Sequence, residues 1–341
     1  DINKNITING QGQTNTFLTG NNHRVVNITG GNVTLNNLTI RNGNTGGNGG
    51  AINVSSGATV NLSSSTISGN TAARGGAINN YGSVNITNSI ILGNTATNTS
   101  SGGGGIRNST NAKLTITDST ISNNSATFGG GILNVTSTTT ITNSTIANNT
   151  ASNGGGIRNS NNGVLNITKS TISGNYSAKN ATIIGNDTRG GGINNEGATA
   201  TITNSTITNN FAHYGGGIRN SASQLTITNS TISNNSATFG GGVLNTNSAT
   251  ANITNSTISG NLATANGYPA FVTNNTGGGI RNSASSILNL TNVTLSNNTA
   301  DTNKGGGILN DNTSTITLSN SLIANSFSGS DFINSGTLNI N

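Results

Sequence analysis

Few side chains in this sequence could serve as acids, bases or metal ligands. His23 and His213 lie far apart, and neither has another histidine, a cysteine or an acid at ligand spacing. His213 stands in Ala-His-Tyr-Gly where other repeats place Ala-Thr-Phe-Gly, so we expect an outward loop residue. General acid–base chemistry needs clustered carboxylates, and only Asp187 and Glu196, which flank a glycine-rich corner, could meet in space. The acids are Asp1, Asp118, Asp187, Glu196, Asp301, Asp311 and Asp331.

These residues support no Ser-His-Asp constellation, despite the abundance of serine. We expect the acids to be solvated loop charges. The sequence therefore predicts no catalytic residues, no cofactor-binding residues and no metal site, and a chain that is not an enzyme.

An internal sequence repeat determines where any functional side chains of this chain lie. Residues 114–134 read LTITDSTISNNSATFGGGILN, and residues 225–245 repeat this as LTITNSTISNNSATFGGGVLN. The anchor of the repeat is Gly-Gly-(Gly/Ala)-(Ile/Val), and successive anchors lie 25 to 28 residues apart except at two longer steps. The apolar residue of the anchor is Ile52, Ile78, Ile106, Ile132, Ile157, Ile193, Ile218, Val243, Ile280 or Ile308.

Each period contains three short strand patterns. In one repeat these are residues 105–108, 114–117 and 120–122, in which apolar residues alternate with polar ones. Because every period has the same internal order, hairpins cannot connect the strands, and each rung must lie parallel on the previous one. The sequence predicts an all-β fold, a right-handed parallel β-helix with three strands and about 25 residues per rung, and about 12–13 rungs.

The repeat predicts a single β-helix domain over residues 1–341. N-terminal rungs would occupy residues 1–40, and a C-terminal rung residues 326–341. Regular repeats would fill 41–325, with longer loops at 176–189 and 262–276.

Composition restricts the partners and the compartment. Hydrophobic residues make up 30% of the chain and charged residues 6%, and cysteine is absent. The net charge of +6 could suggest nucleic acid, but the basic residues are scattered and only four Tyr and seven Phe accompany them. We therefore expect no nucleic acid partner. A surface of Ser, Thr, Asn and Gly is typical of a secreted protein. The sequence contains no apolar run of membrane-spanning length, so we expect no membrane insertion.

Three asparagine columns recur at the repeat period. One lies within the first strand from Asn80, one after the second strand from Asn88, and one after the third from Asn70. Such columns predict side-chain ladders that belong to the scaffold, with asparagine at tight corners in the left-handed conformation. Asp118 and Lys169 interrupt the column that begins at Asn88, and we expect both to point outward.

The pairing of GG(G/A)I with Ile-x-x-Asn, as at Ile67–Asn70 and Ile121–Asn124, resembles the GGAI and FxxN motifs of polymorphic outer-membrane proteins, which are autotransporter passengers. The chain also resembles the β-helical repeat regions of large secreted bacterial surface proteins. The likeness covers residues 30–325, although Ile or Leu replaces the Phe of FxxN. It implies a β-helix in an extracellular setting, at the cell surface.

We therefore predict a non-enzymatic extracellular structural or adhesive β-solenoid. One alternative is a polysaccharide-binding or polysaccharide-cleaving β-helix, since pectin-cleaving enzymes share this fold. Another is an ice-binding protein, because outward Thr or Asn and Thr alternate on the second strands in an array similar to the Thr-x-Thr faces of β-solenoid ice-binding proteins. The candidate threonines are Thr87, Thr115, Thr117, Thr140, Thr142, Thr168, Thr201, Thr203, Thr226, Thr228, Thr254 and Thr291.

The outward residue of the first strand alternates between arginine and leucine in several rungs. Skipping a rung doubles the distance between like charges, and leucine offers apolar surface to the arginine stems. We predict a structural ladder, with an acidic-glycan site as the alternative. The positions are Arg107, Leu133, Arg158, Asn194, Arg219, Leu244, Arg281 and Leu309.

The strand patterns at both ends predict partners. Ile6, Ile8, Leu338 and Ile340 would present unpaired second-strand edges, which favour head-to-tail stacking of copies into filaments. Flanking repeats of a longer chain would cover the same edges equally well. Surface glycans are the other candidate partner.

Overall fold

A computed structural model describes residues 1–177, 188–264, 276–301 and 304–341. Every regular element in these ranges is a β-strand. No helix in the described part of the chain is long and apolar enough to cross a membrane.

The chain divides into an N-terminal unit, Asp1–Asn166, and a C-terminal unit, Ile167–Asn341. The longer loops predicted at 176–189 and 262–276 lie largely outside the described residues. The assignment of one domain to residues 1–341 stays a prediction.

The N-terminal unit contains three parallel sheets and short corner strands. Its first sheet is formed by Val26–Ile28, Ile52–Val54, Ile78–Asn80, Ile106–Ser109, Ile132–Val135 and Ile157–Ser160. The second sheet is formed by Ile6–Asn9, Asn32–Asn36, Thr59–Ser63, Ser83–Thr87, Lys113–Thr117, Thr138–Thr142 and Val164–Thr168, of which the last ends beyond the unit boundary. The third sheet is formed by Phe17–Thr19, Thr39–Arg41, Thr66–Ser68, Ile90–Leu92, Thr120–Ser122 and Thr145–Ala147. Corner strands are Asn44–Asn48, Thr71–Arg74, Thr95–Ala96 and Thr150–Ala151.

The C-terminal unit repeats this arrangement. Its first sheet is formed by Ile193–Glu196, Ile218–Ser221, Val243–Thr246, Ile280–Asn282, Gly305–Asn310 and Ser330–Asn334. The second sheet is formed by Thr199–Thr203, Gln224–Thr228, Thr250–Thr254, Ile287–Thr291, Thr315–Ser319 and Thr337–Ile340. The third sheet is formed by Thr171–Ser173, Thr206–Thr208, Thr231–Ser233, Thr257–Ser259, Thr294–Ser296 and Leu322–Ala324. Corner strands are Tyr176–Ser177, Ser236–Ala237, Leu262–Ala263 and Thr299–Ala300.

Strands pair in parallel with the equivalent strands of neighbouring rungs. In the third sheet of the N-terminal unit, Ile67, Ile91, Ile121 and Ile146 lie in register and are completely buried. Period-two alternation places one apolar side chain of each short strand inside, where it stacks on the same position of the next rung. The prediction of an all-β parallel solenoid of about twelve rungs, each with three strands, is confirmed.

The glycines of the anchor motif allow the close approach of neighbouring rungs. Gly129 has a φ of 60°, in the left-handed region that favours glycine. A Cβ on Gly130 would lie 2.3 Å from the carbonyl oxygen of Gly155 on the next rung. The motif therefore contains one glycine for its backbone conformation and another for space.

Two asparagine columns form buried hydrogen-bonded ladders. After the third strands of the N-terminal unit, the Nδ2 atoms of Asn70, Asn94 and Asn124 each donate to Oδ1 of the next asparagine, at 2.9, 2.9 and 3.0 Å. The backbone N–H groups of the same residues donate to the same oxygens. In the first strands, Asn80 and Asn108 donate upward in the same way, at 2.8 and 2.9 Å. These columns are part of the scaffold, as predicted.

The left-handed conformation is restricted to one of the three columns. Asn88 has a φ of 48° and Asn143 a φ of 48°, whereas the buried ladder members have ordinary backbone angles. Asp118 and Lys169 keep this conformation, with φ of 49° and 51°, and both are exposed as predicted. The tight corner is thus a property of the exposed column, and the buried amides are retained for their hydrogen bonds.

Candidate functional site

The residues with catalytic potential are not brought together in the part of the chain that the structure describes. No group of three or more His, Cys, Asp or Glu side chains there could hold a metal ion. Asp187, the predicted neighbour of Glu196, lies outside the described residues. Glu196 instead pairs with Arg189 at 3.4 Å and with Arg219 at 3.5 Å.

The prediction that His213 points outward is wrong. Its side chain is only 2% exposed, and its Nδ1 lies 2.8 Å from Oγ1 of Thr238. The rings of Tyr214 and Phe239 pack against the imidazole edge-on, with centroid distances of 4.4 and 5.3 Å. The two aromatic rings therefore cover the imidazole that stands where other repeats have threonine.

The second sheets present the predicted polar array. Thr115 and Thr117 lie in register with Thr140 and Thr142 on the next rung, and all four face away from the core. The asparagines in this array bond to each other: Asn85 donates to Asn61 at 2.9 Å, and Asn289 donates to Asn252 at 2.8 Å. The array therefore combines self-bonded amides with exposed or half-exposed hydroxyls.

The outward residues of the first sheets alternate between arginine and leucine as predicted, and the arginines have an additional contact that is described below. Leu133, Leu244 and Leu309 point outward yet are only 1%, 3% and 5% exposed, which is expected if the neighbouring arginine stems cover them. Leu133 pairs with Arg107 on one side and with Arg158 on the other. The structural ladder that the sequence predicts is therefore present in the side-chain packing.

The addition is an aromatic ring beneath each of several guanidinium groups. Arg107 lies over Tyr81 at 5.5 Å, and Arg158 over Phe128 at 4.5 Å. In the C-terminal unit, Arg281 lies over Phe239 at 5.0 Å. This cation–π packing orients each guanidinium group flat against the surface and leaves its edges for hydrogen bonds. The recurrence of an aromatic residue before the anchor glycines, at Phe128 and Phe239, is the sequence signal that reveals it.

A cleft of about 270 Å³ opens on this face of the C-terminal unit. We call it the cleft; its walls include Tyr214, Leu244, Asn247, Arg281, Ser283 and Asp311. Arg281 donates from Nη2 to Oδ2 of Asp311 at 3.0 Å, and both side chains are 16% exposed. Arg219, which also lines the cleft, donates to Asn194 at 3.2 Å and to Ser221 at 3.0 Å.

Ion pairs therefore compensate the cationic groups of the cleft. Asp311 faces Arg281, and Glu196 faces Arg189 and Arg219. Each pair fixes the orientation of a guanidinium group and supplies a carboxylate acceptor next to its N–H donors. The cleft thus offers guanidinium donors and the carboxylate of Asp311 as an acceptor, beside the apolar surfaces of Tyr214 and Leu244.

The far wall of the cleft is built by turns rather than strands. Asn247 and Ala284 both adopt positive φ, 58° and 54°. Asn247 donates from Nδ2 to Oγ of Ser221 at 2.9 Å, and Ser283 donates to Thr246 at 3.2 Å. The sequence predicted outward positions for Arg219, Leu244 and Arg281 but gave no role to Asn247 and Ser283. The expectation that Asp311 is a solvated loop charge is wrong, because it is 16% exposed and paired with Arg281.

The signal for the missed residues is the length of the turn. We measure the turn from the buried asparagine of the first strand to the first buried residue of the second strand. This turn is one residue shorter after Asn220 than after Asn245, Asn282 and Asn310. Longer turns on successive rungs raise one wall of the cleft.

The predicted end contacts lie in the outermost strands. Ile6 is 36% exposed and Ile340 is 74% exposed, whereas Ile8 and Leu338 are half-buried. Association through them stays a prediction.

Comparison with known proteins supports the fold. The family model described as "Right handed beta helix region" matches residues 177–341, in agreement with the predicted handedness. No curated protein matches the chain. The crystal structure of pectate lyase Pel9A is similar over 96% of this chain and 77% of its own, with 13% identity and a TM-score of 0.41. The resemblance to polymorphic outer-membrane proteins stays a prediction.

The match corrects the prediction that the chain is not an enzyme. The similar solved structure is that of a lyase, which is an enzyme. The likeness itself concerns the fold alone.

Proposed function

We propose that the chain is an extracellular adhesive β-solenoid that binds polysaccharide in the cleft. The observation that carries this proposal is the pairing of Arg281 with Asp311 beside Tyr214 and Leu244. A sugar hydroxyl both donates and accepts hydrogen bonds, so it matches a site in which guanidinium donors and carboxylate acceptors are adjacent. The apolar surfaces would contact the C–H faces of the sugar ring.

The electrostatics of the cleft favour hydroxyl groups over a free anion. Carboxylates already face Arg189, Arg219 and Arg281 at 3.0 to 3.5 Å. A second anion would have to displace Asp311 or Glu196, whereas a hydroxyl can bond to both members of a pair. The volume of about 270 Å³ is near the lower limit of ligand pockets, which suits a short segment of a polymer.

The test is binding of purified protein to a panel of neutral and acidic polysaccharides, by calorimetry. We expect the wild type to bind at least one neutral member, and Arg281→Gln to weaken that binding about tenfold, because a charge-assisted hydrogen bond is lost. Asp311→Asn should weaken it similarly. Arg41→Gln is the matched control, since Arg41 also lies over an aromatic ring, Phe17 at 3.9 Å, but on the third sheet.

Two results would contradict the proposal. One is the absence of binding to every polysaccharide in the panel, and the other is equal affinity of Arg281→Gln and Arg41→Gln. The same samples should be assayed for shortening of the polymer. Cleavage that depends on Arg281 would assign the cleft to the polysaccharide-cleaving alternative.

Ice binding is a second candidate, supported by the array on the second sheets. Thr226 and Thr228 lie in register with Thr201 and Thr203, so threonine side chains repeat at the spacing of the rungs, about 4.8 Å. No side-chain hydrogen bond of these four threonines is present among the described residues. Regularly spaced hydroxyls with unused capacity are what a surface that orders water requires.

A further inference from the structure

Arg24 and Arg107, on the N-terminal unit, are linked through Asn48 and Tyr81. Arg24 donates from Nε to the carbonyl oxygens of Asn48 at 2.7 Å and Gly49 at 3.2 Å. Asn48 donates from Nδ2 to the hydroxyl of Tyr81 at 3.4 Å. Arg107 donates from Nη1 to the same hydroxyl at 3.2 Å. These contacts connect guanidinium groups of different rungs.

Arg74 belongs to the same group. It lies in register with Asn48 in the corner strands, and its Nε donates to Oγ of Ser101 at 2.6 Å. We call Arg24, Arg74 and Arg107 the arginine cluster. All three are half-buried, so the backbone and neighbouring side chains restrict their positions.

Each guanidinium group of the cluster is fixed at one edge only. A guanidinium group has five N–H donors. Arg24 and Arg74 use only Nε within the described residues, and Arg107 uses only Nη1, which also donates to Asn79 and Ser109. The terminal N–H groups of Arg24 and Arg74, and those on Nη2 of Arg107, have no hydrogen-bond partner in the described part of the chain. Oriented donors thus remain for a ligand.

No carboxylate compensates the cluster. The N-terminal unit contains two acidic residues, Asp1 and Asp118. Asp1 accepts a hydrogen bond from Asn27 at 2.8 Å, and Asp118 accepts one from Asn143. No ion pair of Arg24, Arg74 or Arg107 exists among the described residues, whereas carboxylates face the arginines of the cleft.

The uncompensated charge has a cost that an anion would remove. Arg24 bonds to the rung of Asn48 and Arg74 lies on the rung after it, so these two like charges are about two rung spacings, about 10 Å, apart, where their repulsion is only partly screened. Burial lowers the pKa of Arg24, which shows that its surroundings disfavour the charged form. Guanidinium edges match the oxygens of sulfate and carboxylate groups in geometry as well as in charge.

We propose that the arginine cluster binds the oxyanion groups, sulfate or carboxylate, of an acidic polysaccharide. This site is separate from the cleft and does not rest on the function proposed for it. A polysaccharide is favoured over a nucleic acid because the ring of Tyr81 lies beneath Arg107 and its hydroxyl is bonded, which leaves the cluster no aromatic platform for bases.

The test measures dissociation constants over a range of salt concentrations for three probes of matched length: heparin, a polyuronate and single-stranded DNA. We expect heparin or the polyuronate to bind more tightly than DNA. Arg24→Gln and Arg74→Gln should each weaken that binding about fivefold. Each should also reduce the slope of log Kd against log salt by about 1, because one fewer counterion is released.

Arg41→Gln is the matched control, since it removes the same charge from the same unit but on the third sheet. It should leave the affinity and the slope unchanged. Because the cleft is tested by the effect of Arg281→Gln on neutral polysaccharides, failure here and failure of the proposed function are distinguishable. If Arg107→Gln, which removes three hydrogen bonds, does not fold, Arg24→Gln and Arg74→Gln still decide the question. The proposal is overturned if neither acidic polysaccharide binds, if Arg41→Gln has an equal effect, or if DNA binds as tightly.

Discussion

Asparagine has two different tasks at the scale of the residue. In the exposed column it supplies a left-handed backbone conformation, as Asn88 and Asn143 do with φ of 48°. In the buried columns its side-chain amide satisfies backbone groups that the corner of each rung leaves unpaired. Asn124, for example, donates from Nδ2 to the carbonyl oxygen of Ile91 at 3.0 Å and accepts from the backbone N–H of Asn94 at 2.9 Å.

The role of asparagine in the buried ladders predicts that Asn124→Ala strongly lowers the free energy of unfolding. The variant would leave the backbone N–H of Asn94 without its acceptor in a buried site, and it would remove the hydrogen bonds from Nδ2 of Asn124 to the carbonyl of Ile91 and to Oδ1 of Asn149. An unsatisfied buried group costs about 1–3 kcal/mol and each of the two other lost hydrogen bonds about 1 kcal/mol, so we expect a loss of about 3 kcal/mol or more in the free energy of unfolding. Urea denaturation followed by circular dichroism measures it.

The matched control is Asn85→Ala in the half-buried outer row, where Asn85 donates to Asn61 at 2.9 Å. Solvent can replace that bond, so the loss should be below about 1 kcal/mol. Equal effects of the two variants would show that the buried ladder has no special role.

Sequence alone predicted the positions that every rung shares. Ile67, Ile91 and Ile121 recur at the repeat period, so their burial follows from the pattern. What it missed are features of one or two rungs: the enclosure of His213 by Tyr214 and Phe239, and the carboxylate of Asp311 at a turn. A repeat pattern averages over such positions, and their contacts depend on how far each turn projects over its neighbours.

At the scale of the element, the second sheets and the turns divide the surface into different chemistries. The strands of the second sheet are five residues long in most rungs, which places three outward side chains on each, such as Lys113, Thr115 and Thr117. The turns that follow the first strands vary in length and build the wall of the cleft. Uniform elements therefore provide a regular face, and variable ones provide the enclosed site.

The regular face leads to a prediction about ice. If the threonine array orders water, purified protein should inhibit ice recrystallisation, and Thr117→Tyr together with Thr228→Tyr should abolish the activity, because a bulky ring interrupts the columns. Thr120→Tyr with Thr231→Tyr, on outward positions of the third sheet, is the control and should have no effect. An inactive wild type, or a pair at 117 and 228 that leaves activity intact, would exclude ice binding by this face.

At the scale of the whole molecule, charge is unevenly distributed along the sequence. Residues 1–166 contain seven Lys and Arg against two acids, whereas residues 167–341 contain six against five. The two sites proposed above follow this partition: the arginine cluster lies where charge is uncompensated, and the cleft where it is paired. One chain could therefore bind acidic and neutral sugars at separate places.

Association of copies is the remaining prediction at this scale. Leu318, Leu322 and Ile340 line a recess of about 420 Å³, and Ile340 is 74% exposed. If copies stack head to tail, sedimentation velocity should show larger species as concentration rises, and Ile340→Asn should reduce them. Val164→Asn, which also replaces an exposed apolar residue, should not. Monodisperse monomers at high concentration would contradict the prediction.

The buried asparagine rows have a direction, and this has a consequence for how such a chain can change in length. Every amide from Asn70 to Asn124 passes its hydrogen toward the C-terminal neighbour, and so do Asn80 and Asn108. Each rung therefore presents amide acceptors on its N-terminal side and amide donors on its C-terminal side. A duplication or deletion of one whole period preserves every hydrogen bond of the two buried asparagine ladders. An insertion or deletion of part of a period interrupts both ladders at once. Growth by whole periods is the change in length that this architecture tolerates best.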